Sequence, residues 1–205
     1  LKKATAARHL DILGGFHPNG QDTSMVGLGT IILLGQREPG FWQYFTQEQE
    51  FRDGMPDPLD RWSKRVITGL AASLGARPYF PFTGPPYQPF YQWALRSGRC
   101  HASPINLLIH DTAGLFVSFR GALGFSEVLE LPPTAATPCE TCISQPCTTA
   151  CPVDAFSQGV YDVPACVAEI GKVETHDCQT RTPAGRRPCP VSQNYGRVAA
   201  QSAYH

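Results

Sequence analysis

The sequence lacks a charge excess, a clustered basic segment and a long apolar run. Its 205 residues include 17 basic and 17 acidic side chains, so the formal net charge is zero. Nucleic-acid binding needs Lys and Arg gathered in a patch, and here they are scattered along the chain. No apolar run approaches the roughly 20 residues of a transmembrane helix. These absences predict no nucleic-acid partner and no membrane segment.

Cysteine is almost absent from the first two thirds of the chain. Of eight cysteines, only Cys100 precedes residue 139, and the other seven lie between residues 139 and 189. The N-terminal segment has no signal-peptide pattern, so we expect a soluble cytoplasmic protein whose thiols stay reduced. This disfavours disulfides, and the density of the thiols is too high for ordinary core residues. The cysteines therefore indicate a metal site.

A composition change divides the chain. The segment "LELPPTAATPCE" places three prolines before the first clustered cysteine, as in an extended connector. We predict an α/β scaffold or cofactor-binding domain over residues 1–133 and an iron-sulfur domain over residues 134–205. The second domain has about 70 residues and few apolar runs, so it needs a staple to stay folded.

The first domain alternates helical and strand signals. Apolar residues recur every three or four positions in "DPLDRWSKRVITGLAASLGA", which predicts a helix, as do "KKATAARHL", "GFWQYFTQ" and "QPFYQWALRSG". "TIILLG" and "RPYFPF" are typical of strands, and "INLLIH" and "LFVSFRGALGF" are expected to form a hairpin across "DTAG". This mixture predicts an α+β or α/β layer.

The segment "CETCISQPCTTACP" carries the clearest chemistry. Its pattern is C-x2-C-x4-C-x3-C-P, close to the bacterial iron-sulfur run C-x2-C-x2-C-x3-C-P. A second Cys-Pro pair follows at Cys189, as a doubled motif requires. A structural zinc site would need two C-x2-C knuckles, and only Cys139 and Cys142 form one. The spacing therefore favours a 4Fe-4S cluster over zinc.

The segment "INLLIHDTAGLFVSFRGALGF", followed by the proline-rich link and the cysteine run, resembles the epoxyqueuosine reductase family. That family is related to corrinoid reductive dehalogenases and cobalamin-processing proteins. The resemblance covers roughly residues 80 to 190 and is most specific in the cysteine segment. It implies an α+β protein in which a nitroreductase-like α/β layer that binds cobalamin precedes a small bacterial ferredoxin-like iron-sulfur domain.

The resemblance also implies a set of cluster ligands. Those of the first cluster are Cys139, Cys142, Cys147 and Cys189, and those of the second are Cys151, Cys166 and Cys178. The family has one more cysteine, which "QTRTPAGRRP" lacks. This leaves open a three-iron cluster, an exogenous ligand, no second cluster, or a fourth ligand from the chain. The candidates for that last role are His176, Asp177 and Cys100.

One departure bears on activity. The family has an acidic proton donor where this chain has Phe82 in "FTGP", and phenylalanine cannot donate a proton. We therefore do not expect epoxyqueuosine reduction. If a corrinoid binds, Phe82 and Thr83 in "PYFPFTGPPYQPFYQW" and His110 beyond it are the candidate cofactor contacts.

These observations predict an iron-sulfur redox protein that acts in electron transfer with a partner protein or a small-molecule electron acceptor. Two alternatives stay open. One is a cobalamin-dependent or cobalamin-handling reductase, which would be an oxidoreductase, and the other is a non-catalytic module with a structural cluster.

Overall fold

A computed structural model describes residues 1–156, 159–172 and 177–204. The chain forms two compact units. Unit 1 contains residues 1–37, 43–99 and 118–135, and unit 2 contains residues 38–42, 100–117 and the chain from 136 onward. The predicted boundary between 133 and 134 lies close to the last of these transitions. The sequence does not predict that residues 38–42 and 100–117 belong to the unit that contains the cysteine cluster.

The described residues contain six strands and a series of mostly short helices. The strands are β1 (Leu10–Phe16), β2 (Thr30–Gln36), β3 (Arg77–Tyr79), β4 (Cys100–Ala102), β5 (Leu108–His110) and β6 (Phe119–Phe125). The helices are α1 (Lys2–Ala6), α2 (Phe41–Phe45), α3 (Gln49–Arg52), α4 (Pro58–Ser73), α5 (Phe90–Arg96), α6 (Val163–Ile170), α7 (Asp177–Arg181), α8 (Pro190–Asn194) and α9 (Ala199–Ala203). The fold is a mixture of α-helices and antiparallel strands.

Unit 1 is built on a four-stranded antiparallel sheet in the order β1-β2-β6-β3. The central strand β2 is buried along its whole length, as its continuous apolar run predicts. The longest helix, α4, packs against β3 and β6. It buries Leu59, Trp62, Val66 and Leu70 at the predicted helical spacing.

The predicted pairing of "INLLIH" with "LFVSFRGALGF" is wrong. β5 pairs with β4 in a separate two-stranded sheet, whereas β6 pairs with β2 and β3. The intervening turn is present but local: the backbone N–H of His110 donates to the carbonyl of Gly114, and the N–H of Gly114 donates to the carbonyl of His110, each at 3.0 Å. The chain then enters the larger sheet, where Ala122 and Leu123 of β6 are completely buried.

Strand β1 was not expected from the sequence. Its "LDILGGF" segment contains adjacent glycines, which are typical of turns, and a register irregularity between Ile12 and Gly14 accommodates a φ of +136° at Gly14. Within the described residues, none of the helices combines the length and apolar character that a membrane crossing requires.

Candidate metal centre

The loop that carries the first three cysteines is wound by successive tight turns. The N–H of Cys142 donates to the carbonyl of Cys139, and the N–H of Gln145 donates to the carbonyl of Cys142, each at 3.3 Å. Gln145 adopts a positive φ of 37°, and Pro146 begins a 3-10 turn with Cys147 at its centre. Pro fits the first position of such a turn because it has no N–H to leave unpaired. These turns bring the three thiols together over a short stretch of chain.

Cys189 reaches the same place from a distant part of the sequence. It is the N-cap residue of α8, and Pro190 occupies the first helical position. The carbonyl of Cys189 accepts the N–H of Gln193 at 3.0 Å, which fixes the cysteine to the helix start. Also in α8, the buried Ser192 hydroxyl accepts a hydrogen bond from the backbone N–H of Leu115 at 2.8 Å. This bond ties α8 to residues 100–117 of the same unit.

The four thiols predicted for the first cluster line one cavity of about 160 Å³. This volume is many times the roughly 10–15 Å³ that a single water molecule needs. Ile109 and Leu115 form part of the apolar wall, and Cys147 and Cys189 are packed in the same apolar cluster with Phe156. The full lining is Ser103, Pro104, Ile109, Leu115, Pro138, Cys139, Thr141, Cys142, Gln145, Pro146, Cys147, Cys189, Pro190 and Val191.

The electrostatics of these thiols reflect their burial and their proximity. Burial raises the pKa of the Cys139 thiol, and the neighbouring thiols of Cys189 and Cys142 raise it further. Burial is also the largest cause of the raised pKa of the Cys147 thiol, and the neighbouring Cys139 thiol is the second. In the part of the chain that the structure describes, no three His, Cys, Asp or Glu side chains are grouped as a single metal ion would require.

Two thiols predicted for a second cluster lie around Tyr161. The Tyr161 hydroxyl donates a hydrogen bond of 3.3 Å to Cys166 Sγ on α6. This bond is the main reason that the pKa of Tyr161 is raised to about 12, and the neighbouring Cys151 adds to the effect. The Tyr161 ring also stacks on Phe156, with centroids 4.8 Å apart. The Phe156–Tyr161 pair thus joins the apolar wall of the first site to Cys166.

The remaining candidates for the second cluster are less clearly placed. Cys178 lies on α7 and is partly exposed, and no hydrogen bond among the described residues links it to Cys151 or Cys166. The Asp177 carboxylate is paired with Arg187 and, at 3.4 Å, with Arg181. Cys100 is buried in β4, and His176 lies outside the described residues.

His110, a candidate cofactor contact, is completely buried. Its Nδ1 accepts the backbone N–H groups of Thr112 and Ala113 at 3.1 and 3.2 Å, and it also lies 2.9 Å from a carboxylate oxygen of Asp111. These bonds close the turn before Gly114. The geometry accounts for His110 as a turn anchor, and a cofactor contact stays a prediction.

Phe82 and Thr83, the other candidate cofactor contacts, lie in unit 1. Phe82 is half-buried against the ring of Phe80 at 5.3 Å, and the exposed Thr83 donates its hydroxyl to the carbonyl of Phe80 at 3.3 Å. Both side chains therefore have local partners, and their role towards a corrinoid stays a prediction.

Sequence reasoning missed the residues that complete the cavity from residues 100–117. Ile109 and Leu115 belong to apolar runs, but an apolar run does not reveal which unit it covers. Comparison of the chain with protein-family models, with curated proteins and with solved structures finds no match.

Proposed function

We propose that unit 2 binds one 4Fe-4S cluster through Cys139, Cys142, Cys147 and Cys189, and that the protein acts in electron transfer. The observation that carries this proposal is the cavity that these four thiols line. For the fold, we propose that unit 2 is ferredoxin-like and that unit 1 is nitroreductase-like. The redox partner would be another protein or a small-molecule electron acceptor.

The donor set fits an iron-sulfur cluster better than it fits zinc. Zinc draws four ligands to about 2.0–2.3 Å from one point, which leaves no space between them. Cubane clusters are held by four cysteine thiolates around a polyatomic core. Here four thiols line one cavity, and only Cys139 and Cys142 form the C-x2-C knuckle that structural zinc sites use in pairs.

When bound, such a cluster supplies reversible one-electron exchange. The residues of this chain hold and shield it. Ile109 and Leu115 form part of the apolar wall of the cavity, and Phe156 packs with them in the same apolar cluster. Cys139 and Cys142 are only partly buried. Burial and solvent access are among the factors that set a cluster's potential. The exposed side of the loop is also where an electron can be exchanged with a partner.

Analysis of anaerobically purified protein for iron, zinc and acid-labile sulfide tests the proposal. We expect about four iron and four sulfide per chain, or about seven to eight of each if a second cluster binds. Cys147→Ser should lose the first cluster, whereas Cys100→Ala, which alters a buried thiol outside the cavity, should keep it. Zinc without sulfide, or full iron content in Cys189→Ser, would contradict the proposal.

The same preparation separates the two alternatives. A change in the absorption spectrum of added cobalamin would favour a cobalamin-dependent or cobalamin-handling reductase. A cluster that cannot be reduced and reoxidised without unfolding the protein would favour the structural module.

A further inference from the structure

We propose that unit 1 contains a binding site for an organic diphosphate whose organic part carries hydroxyl groups, as a nucleoside diphosphate does. The site is a cavity of about 440 Å³ between α1, the start of β1, the end of β2 and the segment after α5. It is independent of the cysteine centre, since all of its lining residues belong to unit 1. The volume lies within the range of about 300–1,000 Å³ that small-molecule sites occupy.

The charges of the residues that line this cavity favour an anionic ligand. Lys2, Lys3, Arg37 and Arg99 supply four positive charges, and Asp11 supplies the one negative charge. The chain as a whole is neutral, with 17 basic and 17 acidic residues, so this surplus is a local concentration. Basic side chains gathered around a concave surface attract and retain phosphate groups.

The four cations come from three separate segments, and a hydrogen bond fixes the backbone of each segment. The Thr5 hydroxyl donates to the carbonyl of Lys2 at 3.0 Å, which fixes the turn that carries both lysines. The N–H of Arg37 donates to the carbonyl of His9 at 3.0 Å. The N–H of Arg99 donates to the Ser97 hydroxyl at 3.3 Å. The convergence is therefore a product of the fold and not of a basic run in the sequence.

Asp11 indicates what accompanies the phosphates. Its carboxylate is half-buried in the cavity wall, with Arg37 Nε 3.9 Å away, and burial raises its pKa. A carboxylate in a phosphate site repels the phosphates but can accept hydrogen bonds from hydroxyl groups, as acidic residues do from the ribose of a dinucleotide. This pairing of four cations with one carboxylate favours an organic diphosphate over a bare inorganic anion.

Isothermal titration calorimetry of the full chain at low salt tests the site with three probes: ADP, inorganic pyrophosphate and adenosine. We expect ADP and pyrophosphate to bind, adenosine not to bind, and the affinity for both anions to fall as salt is added. Lys3→Gln and Arg37→Gln should each weaken pyrophosphate binding by up to about fivefold. Lys64→Gln, which removes an exposed lysine of α4 outside the cavity, is the matched control and should change nothing.

Asp11→Asn separates the two parts of the proposal. Removal of the negative charge should tighten pyrophosphate binding, and ADP should gain less because the neutral Asn oxygen is a weaker acceptor for its hydroxyl groups than the carboxylate. Equal gains for the two probes would overturn the assignment of a hydroxyl-bearing ligand. Failure of pyrophosphate to bind at low salt, or equal weakening by Lys64→Gln and Lys3→Gln, would overturn the site itself.

Discussion

Gly114→Ala tests whether the turn after β5 holds Cys189 at the cavity. Gly114 has a φ of +57°, and a Cβ added there would lie 2.5 Å from the Ser192 backbone N and 2.6 Å from its Oγ. The Ser192 N belongs to the α8 backbone, so it cannot move aside by a change of rotamer. The helix that Cys189 caps must shift instead, and the bond from the Leu115 N–H to Ser192 is disturbed with it.

The cost has two parts. A non-glycine residue in the left-handed region costs about 1–2 kcal/mol, and overpacking of a well-packed contact costs about 1–3 kcal/mol more. Together they predict a loss of about 2–5 kcal/mol in the free energy of unfolding of unit 2. At a urea dependence of about 2 kcal/mol/M, the unfolding midpoint should fall by about 1–2.5 M.

The assay is urea unfolding followed by circular dichroism, together with the iron content of each variant. Gly159→Ala is the matched control, because Gly159 lies in the same unit with a φ of +69° and nothing within 4 Å of an added Cβ. The control should show only the backbone cost and should keep its iron. If Gly114→Ala is no less stable than Gly159→Ala, the packing of the turn against α8 does not position Cys189.

Two further predictions concern the ionisable groups. The guanidinium of Arg65 lies 3.0 Å from Glu50 and lowers the pKa of that carboxyl below its ordinary value of 4.5. The pair therefore stabilises unit 1 above pH 4.5 and loses its effect as the pH falls through the lowered pKa. The melting temperatures of wild type and Arg65→Gln should differ above pH 4.5 and converge as the pH falls below it; a constant gap would contradict this. In an ultraviolet titration of the metal-free protein, Tyr161→Phe should lack a phenol ionisation that wild type shows at about pH 12. If the ionisation that the variant loses lies instead near pH 10, the bond to Cys166 is refuted.

Local sequence patterns predicted the parts of the fold that local chemistry determines. The apolar spacing of Leu59, Trp62 and Leu70 predicted α4 because one helical face must be buried. Strand β1 could not be predicted in this way, since its extended form depends on pairing with β2 across a loop. The predicted pairing of β5 with β6 was also wrong, because the turn at His110 reverses the chain without specifying which strand pairs with β5.

The cysteine spacing anticipated more of the site than of its surroundings. The spacing and the family resemblance that it supports grouped Cys139, Cys142 and Cys147 with Cys189, and these four thiols line one cavity in the structure. Their role as cluster ligands stays a prediction. The walls formed by Ile109 and Leu115 were not predicted, because their contacts with the cysteine loop join distant parts of the chain.

The raised pKa values of Cys139 and Cys147 predict how the metal-free site responds to pH. Burial favours the neutral thiol, so both groups should ionise above their ordinary value of 9.0. The neutral thiols stabilise the fold below pH 9.0, and this contribution is lost as the pH rises through the raised values. Because iron binds the thiolate, cluster insertion at neutral pH must displace protons from both residues.

Alkylation by iodoacetamide, quantified at each cysteine by mass spectrometry, measures this ionisation, since the thiolate is the reactive form. In the metal-free protein, the midpoints of the rate against pH for Cys139 and Cys147 should lie above the midpoints of the same two thiols in the urea-unfolded chain. The midpoint is used because slow access to a buried thiol lowers the rate at every pH without moving the midpoint. Iron-loaded protein should protect both residues across the whole range. Midpoints in the folded, metal-free chain that are equal to or lower than those of the unfolded chain would show that burial is not the dominant influence on the pKa of these two thiols.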